Sequence, residues 1–489
     1  MNNTSISSKT IVGLSWGFLG LMLSSITQFI IGIVLARILT PDEFGIIGIA
    51  SIFVSILPIF IDGGFTFALI RKKVCTEKDF SSVFYINAVT AILIYTILYL
   101  AAPFIGSLFD IPILVSILRV MGLSIVIGVI GIVPNAVLTR KLAFRTLTKI
   151  AIITQLISGS LAIFLAFKGF GLWALAIRSL VATLISKVAM IISATWWPKL
   201  IFDFNIVKQL FNFGSKLMFS LLLNTIFNNI LHFVVAKFYN PAQLGLYTRA
   251  DNFSKLPTEG VANTVHKVSF PVFSQLQHDT LRLKRAYRKV IINTTFISSI
   301  LMFSLAASAQ AFVLVTIGDK WLDSAHYLQL LCFSAFLYPV HTLNLNIMSV
   351  KGRSDLFLKV EIIKKFGLIP VFFMGIFYNI ESMLICMIIF SLLSYFLNAM
   401  IGAPLIAYSV KEQLKDILPS VFFALFVGIF TFLTGSLIKN WQPLQIMISQ
   451  LLISLLLIIV LGEVLIFYPY IEIKNIVVSR LPSAKKNSK

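Results

Sequence analysis

The feature that most constrains this chain is a stretch of about 20 or more apolar residues, almost free of charge, that recurs from end to end. Ile11 to Ala36 is the first, and others follow near 44–70, 80–105, 113–138, 148–168 and 171–195. A second series lies near 210–236, 245–271, 288–317, 325–350, 357–379 and 382–408, with a final pair near 417–438 and 444–470. A helix rising about 1.5 Å per residue needs about 20 residues to cross a hydrocarbon core that offers its backbone no other hydrogen-bond partners. The predicted fold is therefore an all-α integral membrane protein of about 14 transmembrane helices. Composition agrees: 58% of residues are hydrophobic, 12% are charged and the mean hydropathy is +0.95, beyond what a water-soluble domain carries. Ile11 to Ala36 is too long for a signal-peptide core, so it is expected to persist as the first span.

The chain holds 40 Lys and Arg against 19 Asp and Glu. In a membrane protein such an excess first sets orientation, so no nucleic-acid partner is predicted. With the N-terminus inside, about 26 basic residues fall in cytoplasmic segments, against Arg37, Lys168, Lys237, Lys320 and Lys439 on the other side. This asymmetry constrains the span count, because adding or deleting one span reverses everything after it. Both termini are then cytoplasmic.

The three cysteines (Cys75, Cys332, Cys386) and five histidines form no CxxC, HExxH or HxxxH pattern, and no Walker or dinucleotide fingerprint occurs. Neither a metal nor any other cofactor is predicted. The longest aqueous segment, near 274–288, is short and basic, which disfavours an ATP-driven pump or an appended catalytic domain. The chain is not expected to be an enzyme.

An internal repeat organises the spans. ARILTPDEFG begins at Ala36 and AKFYNPAQLG at Ala236, matching Arg37 with Lys237, Pro41 with Pro241 and Gly45 with Gly245. Each copy ends an apolar helix with a basic residue, breaks at proline and resumes through glycine. A weaker likeness between Leu118–Ser124 and Leu328–Ser334 keeps a similar offset. The repeat predicts two six-helix lobes, 1–200 and 201–410, as parallel repeats, then two additional helices over 411–472 and a basic cytoplasmic tail over 473–489. Parallel repeats are a transporter architecture, with a substrate path between halves that rock in alternating access.

The polar residues inside spans need a reason. In the eighth span Asn252, Lys255, Glu259, Asn263 and His266 fall within about 80° of arc at 100° per residue, and Arg249 and Lys267 widen it. One wet face is predicted, lining a cavity or, alternatively, lying on the membrane surface. The seventh span adds Lys216, Ser220, Asn224, Asn228 and His232 at four-residue steps. Such residues also bond between helices without any substrate. Asp62, before Gly63 and Gly64, reads as a cavity carboxylate or as the residue at a helix break. Arg178 lies deep in the sixth span and reads as facing the cavity, whereas Arg119 and Lys187 read as snorkelling to an interface. Lys364 and Lys365, beside Glu361, read as an anchor or a local ion pair.

The segments LARILTPDEFG, DGGFTFALIRKK, LGLYTRADNFSKLP and FPVFSQLQ resemble the Wzx-type polysaccharide flippases, notably the colanic-acid exporter branch of the multidrug, oligosaccharidyl-lipid and polysaccharide exporter superfamily. The resemblance implies two six-helix lobes, often with two extra C-terminal helices, in a bacterial cytoplasmic (inner) membrane. It further implies a cargo of undecaprenyl-diphosphate-linked oligosaccharide, carried to the periplasmic leaflet for polymerisation, with a polysaccharide polymerase and chain-length machinery as partners beside membrane lipid. Lys216, Arg249, Lys255 and Lys267 are then the leading diphosphate ligands, with Asn224, Asn228, Asn252, Asn263 and Arg178 completing the substrate-binding set. Asp62, Asp251, Glu259 and His266 are candidates for ion coupling or for pairing with those cations. An ion-coupled drug antiporter should carry carboxylates where this chain carries cations. A lipid II flippase shares the anionic anchor and differs only in the quoted motifs. Outside transport, a membrane polysaccharide polymerase should carry a large periplasmic loop, which the sequence lacks.

Overall fold

The computed structural model describes residues 23–480, and every regular element among them is a helix. In order these are α1 (Leu23–Ile38), α2 (Pro41–Asp62), α3 (Phe65–Arg71), α4 (Glu77–Leu108), α5 (Pro112–Val129), α6 (Ile132–Arg140), α7 (Phe144–Phe167), α8 (Leu172–Ala194), α9 (Phe204–Phe238) and α10 (Pro241–Gln275). Then come α11 (Thr280–Thr316), α12 (Asp323–Ala335), α13 (Tyr338–Val350), α14 (Ser354–Gly367), α15 (Ile369–Phe377), α16 (Ile380–Gly402), α17 (Val410–Leu437), α18 (Pro443–Val464) and α19 (Tyr468–Arg480).

Among the described residues, eleven helical stretches are long and apolar enough to cross a membrane. They coincide one for one with eleven of the fourteen predicted spans. The other three predicted spans are not among those eleven. The first span is described only from Leu23, its earlier residues lying outside the described part. The eighth is α10, a continuous helix too polar to qualify by hydropathy. The eleventh is divided at Leu368, with Pro370 in the first turn of α15. Long apolar side chains such as Leu451, Leu452, Leu455 and Leu456 of α18 are exposed, an arrangement that suits hydrocarbon and not water.

The chain divides into two compact units meeting at Gly245 and Leu246. In the first, α9 packs against α2, and so groups with the helices that precede it. The two repeated corners explain this. Thr40 and Glu43 form a reciprocal capping box ahead of Pro41, while Asn240 Oδ1 accepts from the Gln243 amide ahead of Pro241. Each corner then receives the other: a Cβ on Gly45 would lie 1.8 Å from the Pro241 carbonyl oxygen, and one on Gly245 would lie 2.0 Å from that of Pro41. At the other end of α2, a Cβ on Gly64 would lie 2.2 Å from the Gly214 carbonyl oxygen of α9. Only glycine permits these backbone approaches. Elsewhere in this unit Arg140 of α6 donates to the Leu69, Ile70, Lys72 and Lys73 carbonyls and so caps α3.

In the second unit α11 is the central post, contacted by α12, α17 and α18. The final helix pair, which has no counterpart in the repeat, is bonded to it: Gln450 Nε2 donates to the Ala307 and Thr431 carbonyls, and the Ser304 and Ser454 hydroxyls lie 2.9 Å apart. At one end, Lys284 pairs with Glu412 and Arg288 with Asp416. The last helix, α19, joins this assembly through Glu472, which pairs with Lys289 and accepts from Asn293 Nδ2 at 3.1 Å. Burial pushes the Glu472 carboxyl up, but bonds from Lys289, Asn293 and Tyr468 outweigh it and hold the group below the ordinary carboxylate range. A carboxyl lowered in this way stabilises the folded state above its ordinary pKa, and that contribution is lost as pH falls through the folded value. Acidification below about pH 4 is thus expected to release α19, read as faster hydrogen exchange over 468–480. Glu472→Gln should show the same release at neutral pH. Equal protection at both pH values would contradict the assignment.

Candidate functional site

Helix α10 has two faces of different chemistry. Phe253, Ser254, Thr258, Ala262, Ser269 and Phe273 are buried, with the Phe253 ring edge-on to Phe312 of α11 at 5.1 Å. Asn252, Lys255, Glu259, Asn263, His266 and Lys267 are all exposed. Pro257 interrupts the amide ladder without ending the helix, and beside it the Thr258 hydroxyl donates to the Ser254 carbonyl at 2.9 Å.

The charges on this helix are ordered. Lys255 Nζ donates to Asp251 Oδ2 at 2.6 Å, and the Asp251 side chain is only 7% exposed while that of Lys255 is 47% exposed. The carboxylate is thus an internal strut for a lysine whose ammonium still meets the outside. Arg249 is half-buried with its guanidinium 5.8 Å from the Trp321 ring. The His266 ring stacks on Phe270.

In α9, Lys216, Ser220, Asn224 and Asn228 are exposed and His232 is half-buried. Arg178 of α8 is half-buried and donates to Gln155 Oε1 of α7 at 3.3 Å, which ties it to its own bundle. Lys364 pairs with Glu361, the local ion pair offered by the sequence.

Asp62 stands at the helix break that its sequence allows. It ends α2 at a break where Gly63 and Gly64 take φ values of 54° and 78°, and it lines a cavity of about 370 Å³ in the first unit. Its Oδ1 accepts from Thr66 Oγ1 at 2.5 Å and from the Thr66 amide at 3.2 Å. Across the cavity stand Ser124, Asn135, Thr183 and Lys187. Lys187 therefore does not belong with the snorkelling residues: its methylenes lie over Gly131 and its side chain lines this interior space. These residues come from four separated helices, so no spacing in the sequence associates them.

The family described as "Polysaccharide biosynthesis protein" matches residues 34–326, more than half of the chain. The chain belongs to that family. The match starts beside the first corner and runs past α10 and the second. Similar members of known description include the teichuronic acid biosynthesis protein TuaB of Bacillus subtilis, 25% identical over 432 residues, covering 85% of this chain and 86% of that one. The succinoglycan biosynthesis transport protein ExoT of Rhizobium meliloti is 28% identical and covers 69% of each chain. The lipopolysaccharide biosynthesis protein WzxC of Escherichia coli is 23% identical and covers 76% of each. Among solved structures, the lipid II flippase MurJ in an inward closed conformation has the same fold, with a TM-score of 0.73 at 17% identity, covering 93% of this chain and 100% of that one. This polysaccharide biosynthesis protein is thus a multi-pass membrane protein with that helical architecture, and its polar residues stand on named faces within it.

Proposed function

We propose that this protein is a flippase, which carries undecaprenyl-diphosphate-linked oligosaccharide repeat units from the cytoplasmic to the periplasmic leaflet of a bacterial inner membrane by alternating access. The observation that carries the reading is the exposed face of α10, on which asparagines, a histidine and lysines stand together in a chain otherwise built to meet hydrocarbon. Taking one hydroxyl out of water without a partner costs about 2–7 kcal/mol, so a repeat unit with several hydroxyls faces tens of kcal/mol in bare lipid. Amide and hydroxyl side chains that replace the lost water remove most of that barrier. The diphosphate is anionic, and lysines in a partly desolvated setting attract it more strongly than they would in water.

In this reading Lys216, Arg249, Lys255 and Lys267 meet the diphosphate, Asn224, Asn228, Asn252 and Asn263 meet sugar hydroxyls, and Arg178 braces the bundle near the path. Asp62, Asp251, Glu259 and His266 are the groups available for coupling to an ion or for pairing with the cations. The two six-helix lobes are 1–200 and 201–410, both termini are cytoplasmic, and a polymerase with its chain-length machinery consumes the product. The names of TuaB, ExoT and WzxC support polysaccharide precursors as cargo.

The test is depletion of the protein in cells whose lipid-linked oligosaccharide carries a label. A flippase predicts that labelled repeat units accumulate on the inner leaflet. Unpolymerised units on the outer leaflet would instead identify a polymerase, and an unchanged distribution would refute both.

A further inference from the structure

Arg119 stands seven residues into α5, about 10 Å along the axis from its first residue, Pro112, and the proposed transport path makes no use of it. Its Nε is buried without an acceptor, and among the described residues its guanidinium has no hydrogen bond or ion pair. An aromatic face holds it instead: the guanidinium carbon lies 4.0 Å from the centroid of the Tyr99 ring of α4. The two helices are tightly joined at this level. The Tyr95 hydroxyl donates to the Arg119 carbonyl at 3.2 Å, and a Cβ on Gly122 would lie 2.8 Å from the Leu98 side chain.

No carboxylate is at hand to neutralise this cation. The sequence holds no Asp or Glu between Asp79 and Asp110, or between Asp110 and Asp203. The carboxylates of α4 stand in its first turn, and those of α2, which packs on both helices, stand in its first turn and at its last residue. Asp110, in the turn between α4 and α5, makes no ion pair among the described residues.

The surroundings are also apolar and open. Beside Tyr99 on α4, Ile92, Leu93, Ile97, Leu100 and Phe104 are 57–72% exposed, and Ser116 and Leu123 are exposed on either side of Arg119 along α5. In a multi-pass membrane protein such an arc meets hydrocarbon, where an unpaired arginine costs about 2.5–3.5 kcal/mol on insertion scales. The missing partner must therefore come from the lipid. The Ser116 hydroxyl, one turn nearer the start of α5, and the Tyr99 hydroxyl make no hydrogen bond among the described residues, so both are available as donors beside the guanidinium.

The internal repeat shows that the fold itself does not call for a cation here. Arg119 falls in the likeness between Leu118–Ser124 and Leu328–Ser334, and its counterpart on α12 is the neutral Gln329.

We propose that Arg119, Ser116 and Tyr99 form a site for the phosphate of an anionic phospholipid seated in the groove between α4 and α5, in the leaflet that meets the start of α5. The guanidinium fork matches two phosphate oxygens. A zwitterionic headgroup would bring an ammonium for which these walls hold no carboxylate, so a headgroup of net negative charge is preferred. The site is independent of the cargo and needs only that the protein spans a membrane.

The test is photo-crosslinking of the full-length protein in lipid nanodiscs, with the same diazirine placed on phosphatidylglycerol, phosphatidylethanolamine or diacylglycerol and the adducts mapped by peptide mass spectrometry. Phosphatidylglycerol should label residues 96–123 at least fivefold more than either of the others. Arg119→Gln, the residue of the second repeat, should lower that labelling at least fivefold while leaving adducts over 280–289 unchanged, and Arg119→Lys should retain part of it. Inorganic phosphate in large excess should not compete. Equal labelling by diacylglycerol and phosphatidylglycerol in the unmodified protein would overturn the site whether or not any variant folds. Labelling by phosphatidylethanolamine equal to that by phosphatidylglycerol would overturn the charge preference, and displacement by inorganic phosphate would overturn the lipid as its source. Undiminished labelling in Arg119→Gln would remove the arginine. None of these outcomes bears on transport, which has its own assay.

Discussion

Replacing Gly45 by alanine is expected to drive the two proline corners apart and to make that end of α2 accessible to water. The added methyl would sit 1.8 Å from the Pro241 carbonyl oxygen, and because the obstacle is backbone, no side-chain rotation relieves it. Overpacking usually costs about 1–3 kcal/mol, and this contact belongs at the upper end. Gly245→Ala should act alike, since its methyl meets the Pro41 carbonyl oxygen at 2.0 Å. The two substitutions strain one shared contact, so the double variant should add little to either single one. Gly64→Ala should act at the opposite end of α2, where the Gly214 carbonyl oxygen stands 2.2 Å away and the backbone φ of 78° already disfavours a side chain.

Alternating access gives these substitutions opposite signs. In the proposed orientation, which puts the corners on the periplasmic side, Gly45→Ala should raise labelling of a cysteine placed at Gln243 by a membrane-impermeant reagent added outside. Gly64→Ala should raise labelling near Gly214 from the inside. Both should lower transport at least tenfold, because each biases a cycle that must pass through both states. Gly260→Ala, whose methyl would meet nothing within 4 Å, is the control and should do neither. If Gly45→Ala left both the labelling and the melting temperature of the protein unchanged, the corner contact would have no part in closure.

The corners were legible in the sequence because a proline and a glycine at fixed offsets carry their own geometry. Their mutual contact was not, since reciprocity between positions 200 apart is a tertiary fact. The spans show the same division. Hydrophobic run length located the eleven long apolar stretches, while α10 needed the charge asymmetry of its flanking loops, its own hydropathy being too low. The face of α10 was readable because helical spacing converts directly into angle: the five residues within one arc are all exposed. Lys187 was opaque to that arithmetic. A lone lysine near a span end reads as a snorkelling group, and only the convergence of α2, α5, α6 and α8 reveals the space it faces. The partner of Lys255 was half-visible. Asp251 lies one helical turn before it, but spacing alone does not say which of Asp251 and Glu259 the lysine chooses.

That choice decides how the strongest site prediction must be made. Lys255→Ala is expected to lower transport more than tenfold, yet taken alone it confounds two effects. Removing the ammonium also takes the 2.6 Å ion pair away from the Asp251 carboxylate, which is 7% exposed, at a cost of about 1–3 kcal/mol. A loss of transport would then follow even if Lys255 never touched cargo. The pair Asp251→Asn with Lys255→Met separates the two. An amide opposite a thioether removes both charges at nearly constant volume, and such replacement of an ion pair is often neutral for stability. The double variant should therefore melt within a degree or two of the unmodified protein, above Lys255→Ala, and still fail to transport. Asp251→Asn alone frees the ammonium of Lys255 from its internal carboxylate. It should keep at least half of the transport rate and tighten binding of inorganic diphosphate, measured by titration calorimetry. Lys255→Arg should hold an intermediate rate, since it keeps the charge and changes the donor geometry. Full transport by the double variant would remove Lys255 from the cargo path and leave the 2.6 Å pair as a brace for α10.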